Sequence, residues 1–320
     1  MLITSILDKI GNTPLVRIRE IGKDLPGVRS GKVKIYAKIE YFNPGGSIKD
    51  RPAYRMIREG LKSGKLTPKK IIMDSTSGNT GVAYAMIGAA LGLQVELVMP
   101  ENVSYQRKQI VKTFGAKITY SSPMEGSDGA IRLAKKLLQE NPDLYFMPDQ
   151  YNNEFNPRAH YDTTGEEIWR QTEHQVTHFI AGIGTGGTVM GTGRRLKDYN
   201  KNIRVIAVEP DHALHGLEGL KHMASSIVPG IYKEQELDEK ISMETEPAYD
   251  MVERLAREEG LVVGHSSGGA MVAALRVAER IPENQDATIV TIFCDHGDRY
   301  FSMLEWSQDV QNVPYQDTGI

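Results

Sequence analysis

Short apolar runs alternate along this chain with longer amphipathic stretches. That alternation limits the fold more than any other feature, because it argues for parallel β-α units in open sheets rather than a sandwich or a bundle. The spacing predicts strands over 33–40, 70–74, 94–100, 116–121, 143–148, 177–183, 203–209 and 287–294. It predicts helices over 79–91, 104–114, 126–140, 161–172, 187–198, 245–259 and 267–281, with Ser104 as the N-cap of the second and Gly115 as its stop. Several strands are rich in Val and Ile, as expected where both faces are covered. The units form two series joined by the polar stretch QYNNEFNPRAHY (150–161), which divides the chain into α/β domains over 1–152 and 153–310 and a tail over 311–320. Residues 211–243, where His, Ser, Pro and charged residues break any period, are expected to form a long loop or flap.

Composition then removes whole classes of function. Thirty-eight basic against 41 acidic residues leave a formal charge of −3, too balanced for the basic footprint that binds nucleic acid through its phosphates. The lone Cys294 can make no intramolecular disulfide, which implies a reducing compartment. The start MLITSILDKIGNTPLVRI lacks the basic and long apolar regions of a signal peptide, and no run approaches the ~20 apolar residues of a membrane span. A cytoplasmic protein, with no membrane or nucleic-acid partner, is expected.

In open α/β sheets ligands bind beyond the C-terminal ends of strands, and three turns at such places are unusual. The first, Asn43-Pro44-Gly45-Gly46-Ser47-Ile48-Lys49-Asp50-Arg51, opens into the helix-like PAYRMIREGLKSG. A helix N-terminus favours anions, so a lysine there is electrostatically odd, and an amine that gives up its proton readily suits covalent capture of a carbonyl. The competing reading is a solvent-facing Lys49 paired with Asp50. The second, Thr76-Ser77-Gly78-Asn79-Thr80-Gly81, converges small donors on one point and fits a carboxylate or phenolate oxygen. Ordinary capping by Ser77 or Asn79 is the alternative. The third, Gly182-Ile183-Gly184-Thr185-Gly186-Gly187-Thr188, lets backbone amides approach a phosphate. Gly182, Gly184 and Gly187 also match the dinucleotide pattern G-x-G-x-x-G, with Glu209 near the usual ~20-residue distance for a ribose-binding acid, so a nicotinamide-dependent oxidoreductase stays open at this point.

Taken together, NPGGSIKDRP, TSGNTG, GIGTGGT and the late GHSSGGA resemble the cysteine synthase (O-acetylserine sulfhydrylase) family, of fold-type II pyridoxal-phosphate enzymes. GNTPLVRI (11–18), MPENVSYQRKQIVKTFGAKI (99–118) and HYDTTGEEIW (160–169) follow the same family in order, so the resemblance covers nearly the whole chain. It implies two open, mostly parallel β-α domains like the tryptophan synthase β-subunit, with the site in the cleft between them and part of 10–42 packed on the second domain. It implies pyridoxal 5'-phosphate, and the making of L-cysteine from O-acetyl-L-serine or O-phospho-L-serine and sulfide or another sulfur donor, by β-replacement through an aminoacrylate. Cystathionine synthesis is the alternative within the family. Lys49 would bind the cofactor covalently and move protons, Asn79 would bond its phenolate oxygen, and Gly184, Thr185, Gly186, Gly187 and Thr188 would cradle its phosphate. Ser266 would face the pyridine nitrogen, where a neutral hydroxyl makes a weaker electron sink than a carboxylate. Thr76, Ser77, Gly78, Thr80 and Gln150 would hold the substrate carboxylate. A homodimer and a possible sulfur-carrier protein partner are further implications.

The chain departs from the family at two places. Asp74-Ser75 stand where Glu-Pro usually precedes the asparagine loop, and the segment from His212 to Met223 replaces a compact glycine-rich turn. That segment brings a cation, Lys221, where some members that use O-phosphoserine carry a basic residue, and an ammonium there would stabilise a phosphate leaving group; a solvated flap lysine is the alternative. His212-x-x-His215 lacks the acidic or cysteine company of a metal site. Cys294, in the Cys-Asp-x-Gly-Asp-Arg-Tyr setting of the B-type branch, is expected to end a buried strand as a small hydrophobe. The tail ends in Ile320 and is expected to be disordered; the alternative, from family members that receive C-terminal isoleucine peptides, is insertion of Ile320 into the site.

Overall fold

The computed structural model describes residues 3–76 and 78–303; Ser77 and the tail over 311–320, Ile320 included, lie outside the described residues. In chain order, β1 (Leu15–Arg17), α1 (Pro26–Arg29) and β2 (Val33–Ile39) precede α2 (Asp50–Lys62), β3 (Ile71–Ser75), α3 (Asn79–Leu91), β4 (Val95–Pro100), α4 (Tyr105–Thr113), β5 (Lys117–Ser121), α5 (Gly126–Glu140) and β6 (Tyr145–Phe146). Then follow α6 (Phe155–Asp162), α7 (Thr164–Gln171), β7 (His178–Gly182), α8 (Gly187–Tyr199), β8 (Arg204–Pro210), β9 (Glu239–Met243), α9 (Thr245–Glu259), α10 (His265–Arg280) and β10 (Ala287–Phe293).

The strands form two sheets, a six-stranded one ordered β1-β2-β10-β7-β8-β9 and a four-stranded one ordered β5-β4-β3-β6. All pairings are parallel except β1 with β2. β2 comes early in the sequence yet lies between β1 and β10, with Val33 beside Ala287 and Ile39 beside Phe293. Every residue of β10 and of β4 is buried, which explains their mostly apolar character; the exception in β4, Glu96, accepts from Thr119 Oγ1 at 2.6 Å and from Tyr145 OH at 3.2 Å. α3 is buried continuously from Thr80 to Gly88 because its run of Gly, Ala, Val, Met and Ile has no polar face to offer solvent. α4 stops as expected at Gly115, whose φ of +85° a side chain would strain.

Several expectations need correction. The polar link over 150–161 is half helix, and the helix expected over 161–172 starts at Phe155 and breaks at Thr163 (φ −125°, ψ −69°). Asn153 reads as loop chemistry but its Oδ1 accepts from Phe155 N at 3.0 Å, starting the helix, and Pro157 sits in the first turn, where a missing N–H costs little. The expected loop over 211–243 contains β9, whose Ile241 and Met243 point inward between exposed neighbours. The strand expected over 143–148 shrinks to Tyr145–Phe146, and α10 begins at His265 rather than 267. Ser104 precedes α4 as expected, but its side chain accepts no capping bond.

Candidate active site

The first turn sets Lys49 immediately before α2, its side chain half-buried. The competing partner, Asp50, is fully buried and turned away: its Oδ2 accepts from Gly45 N at 2.5 Å, and burial pushes its carboxyl up to about 7. Lys49 instead lines a cavity of about 410 Å³ at the C-terminal ends of β3, β4 and β7. A buried network holds this turn. Arg51 Nε meets Glu40 Oε2 at 2.7 Å and its Nη1 meets Glu167 Oε1 at 2.6 Å, while Lys38 Nζ meets Glu167 Oε2 at 2.6 Å. Glu40 also accepts from Asn43 Nδ2 at 2.9 Å, and Asn43 Oδ1 accepts from Gly11 N at 2.8 Å. The Lys49 turn is thereby tied to β2 and to α7.

Of the other residues singled out above, Thr76, Gly78, Asn79, Thr80, Gln150, Gly184, Thr185 and Lys221 line the same cavity. Ser77 lies outside the described residues. Thr80 Oγ1 donates to Gln150 Oε1 at 2.9 Å, fixing that amide beside the loop. Gly78 is the N-cap of α3 and makes no side-chain cap bond; Asn79 spends its amide elsewhere, its Nδ2 donating to Asp295 Oδ2 at 2.6 Å and its Oδ1 accepting from Arg299. An amide nitrogen carries two protons, so one is left for a ligand. Gly186, Gly187, Thr188 and Ser266 do not line the open cavity. Gly186 caps α8, Gly187 opens it, and Thr188 Oγ1 stands 3.4 Å from His160 Nε2. Ser266 is buried at the start of α10 against the Cys294 thiol, which burial pushes up to about 12.

The glycine turn is shaped first by its own chain. A Cβ on Gly184 would meet the Gly219 carbonyl oxygen at 2.3 Å, and Lys221 N donates to Ile183 O at 2.8 Å, so the flap segment lies directly on the turn. Glu209 is not free for a ribose: Oε1 accepts from Met223 N at 2.7 Å and Oε2 pairs with Lys240 at 2.9 Å. The oxidoreductase reading loses its acid. His212 pairs with Asp211 at 2.5 Å and His215 Nδ1 accepts from Leu217 N at 3.1 Å.

Some lining residues, Arg107, Glu218 and Tyr300 among them, are not singled out by the sequence, and other groups of the site take partners that the sequence does not show. Arg107 of α4 pairs with Glu218 of the flap and lies 5.7 Å from the Tyr300 ring centre. The Tyr300 hydroxyl donates to Asp295, the acceptor of Asn79. Lys221 Nζ sits 5.2 Å over the Tyr151 ring, and burial lowers its pKa. Asp74, at the end of β3, accepts from Tyr84 OH at 3.0 Å and Ser75 N at 2.8 Å, yet burial pushes its carboxyl up to about 7. These contacts join segments far apart in sequence, and single residues such as Arg107 carry no local mark of them.

An amine with a cavity before it, a donor-rich helix start on one side and a glycine turn with threonine hydroxyls on the other is a donor set suited to a carbonyl-bearing, phosphorylated cofactor. The family model described as pyridoxal-phosphate dependent enzyme matches residues 6–295. The chain belongs to that family. Members of this pyridoxal-phosphate family similar to it include a cysteine synthase of Aquifex aeolicus, 52% identical and covering 95% of this chain and 92% of the relative. Cysteine synthase B of Pseudomonas aeruginosa is 40% identical over 93% of this chain and 96% of its own. A crystal structure of a cysteine synthase from Entamoeba histolytica superposes with a TM-score of 0.89 at 36% identity, covering 99% of this chain and 93% of that one. Membership makes pyridoxal phosphate the cofactor. Among the described residues no helix is long and apolar enough to cross a membrane.

Proposed function

We propose that this enzyme makes L-cysteine by β-replacement, exchanging the leaving group of an activated serine for sulfur. The observation that carries the reading is the Lys49 side chain in a cavity shared with the Thr76–Thr80 loop and the Gly184–Thr185 turn. When bound, pyridoxal phosphate supplies an aldehyde carbon for covalent attachment and a ring that accepts electron density from the substrate's α-carbon. Lys49 Nζ would hold the cofactor through that carbon and, when free, would take and return a proton at the substrate's α-carbon. Thr76, Ser77, Gly78 and Thr80 bind the substrate carboxylate, with Gln150 held to Thr80. The remaining Asn79 proton would bond the cofactor's ring oxygen, Gly184 to Thr188 would hold its phosphate, and the neutral Ser266 hydroxyl would meet its ring nitrogen. Arg107 and Glu218, paired in the cavity lining, would exclude water from the reacting centre.

Lys221 supports O-phospho-L-serine as the activated serine. Its ammonium lines the cavity over Tyr151, where a departing phosphate would meet it, whereas an acetate leaving group carries less charge for it to stabilise. Sulfur arrives as sulfide or from a sulfur-carrier protein, for which the exposed Leu214, Ile227 and Val228, beside the lining residues Ala213, His215 and Ser226, offer an apolar rim. The working unit is a cytoplasmic homodimer.

Purified enzyme is expected to show the visible band of lysine-bound cofactor, and Lys49→Ala to lose it together with at least ~10³-fold in turnover. A colourless wild type that takes up no cofactor refutes the reading. With both activated serines compared, Lys221→Ala is expected to lower kcat/KM for O-phosphoserine by about 10- to 100-fold and to spare O-acetylserine. An equal loss on both esters refutes the phosphate reading alone. Homocysteine offered against sulfide separates cystathionine synthesis from cysteine synthesis.

A further inference from the structure

One buried side chain touches both ends of the site. Asn156, in the first turn of α6, is 2% exposed. Its Nδ2 donates to the Gln150 carbonyl oxygen at 2.7 Å and to Thr185 Oγ1 at 3.1 Å. A carbonyl can only accept, so the orientation of this amide is settled by its surroundings. The amide also lies against α8, where a Cβ on Gly187 would come within 1.9 Å of Asn156 Oδ1. It has no room to swing.

This has a consequence for Thr185. A threonine hydroxyl owns one proton and can accept two. Thr185 Oγ1 accepts from Asn156 Nδ2 and also from Gly187 N at 3.3 Å, so its lone pairs are engaged inside the protein and its own proton is left to donate into the cavity that Thr185 lines. One turn further along the same face of α6, His160 Nε2 stands 3.4 Å from Thr188 Oγ1, with its Nδ1 2.9 Å from Thr164 Oγ1. Two hydroxyls of the glycine turn therefore rest on one helix face.

We propose that Asn156 is a positioning residue that aims the Thr185 hydroxyl proton at the cofactor phosphate while it holds Gln150 at the substrate end. The inference rests on reading the 184–188 turn as the phosphate cradle. It makes phosphate affinity depend on a side chain that never touches the cofactor, because a donor aimed in advance needs no reorganisation on binding.

The test uses cofactor-free wild type, Asn156→Ala and Asn156→Asp. Each is titrated with pyridoxal 5'-phosphate, with pyridoxal, which lacks the phosphate, and with inorganic phosphate. Asn156→Ala is expected to weaken pyridoxal phosphate and inorganic phosphate about ten-fold and to leave pyridoxal within about two-fold of wild type. Asn156→Asp weakens both phosphates further, since its carboxylate accepts the Thr185 proton and adds a like charge. In the reconstituted enzyme KM for the activated serine rises, through Gln150, more than kcat falls. If Asn156 merely packs α6 on α8, pyridoxal and its phosphate weaken together, and the proposal is overturned. Unchanged phosphate binding in both variants overturns it as well. Should Asn156→Ala fail to fold, the near-isosteric Asn156→Asp decides by the same ratio. A wild type that binds pyridoxal phosphate and makes cysteine, while the variants keep their phosphate preference, defeats this inference alone; a wild type that binds neither phosphate defeats the functional reading beneath it.

Discussion

Replacing Arg51 with alanine tests how the turn that carries Lys49 is held. The Arg51 side chain is 1% exposed, and its guanidinium joins two carboxylates, those of Glu40 at 2.7 Å and Glu167 at 2.6 Å. Removing it leaves Glu40 with no direct ion pair, only the field of Lys38, and Glu167 with Lys38 alone, in a buried region. Breaking a buried pair by deleting one partner costs about 3–5 kcal/mol, because a charge is left uncompensated. Unfolding entropy of roughly 2.1 cal/mol/K per residue converts that cost into a fall of about 5–7 °C in Tm for a chain of this size. Burial pushes the Glu167 carboxyl up, but Arg51 and Lys38 outweigh it and hold it at about 2; Glu40 is likewise lowered, chiefly by Arg51 against the cost of burial. Carboxyls lowered by folding contribute stability that is present above the ordinary glutamate pKa of about 4.3 and lost as pH falls toward their folded values. Acid unfolding of the wild type therefore falls between about pH 4 and pH 2, and Arg51→Ala moves it upward. Scanning calorimetry of the cofactor-free protein from pH 2.5 to 7 reads both effects. A variant that melts within about 1 °C of wild type at neutral pH, with an unmoved acid transition, refutes the reasoning.

Two other perturbations bear on neighbouring parts of the site. Asp74 has its carboxyl raised to about 7 by burial, so its contribution to stability is full below the ordinary aspartate value near 4 and is lost as pH rises through about 7; Asp74→Asn is expected to flatten the decline of Tm over that window, and an unchanged slope rules Asp74 out as its source. Gly184→Ala places a methyl 2.3 Å from the Gly219 carbonyl oxygen, lifting the flap from the turn. It should weaken cofactor binding at least about ten-fold, measured as loss of the visible band on dilution, and a band as persistent as that of wild type would show that the flap contact is dispensable.

Periodicity alone carried the β-α alternation, because strands covered on both faces are apolar at most positions and leave a recognisable run, as in Val95–Pro100, interrupted only by Glu96, and Ala287–Phe293, interrupted only by two threonines. Turns whose chemistry is local were legible too: Lys49, the Thr76–Thr80 loop and the Gly184–Thr185 turn meet around one cavity because each follows the end of its own strand or opens a helix. What the sequence could not disclose was pairing between distant segments. β9 looked like loop because an edge strand alternates with charged residues, and only β8 beside it makes a strand of it. Glu209 looked available to a ribose until Met223 and Lys240 claimed it. Asn156 and Arg107 bear no local mark at all. A short-range pattern is written by the backbone's own period, whereas a side chain's task depends on which donors and charges folding brings within about 3 Å of it, and those arrive from anywhere in the chain.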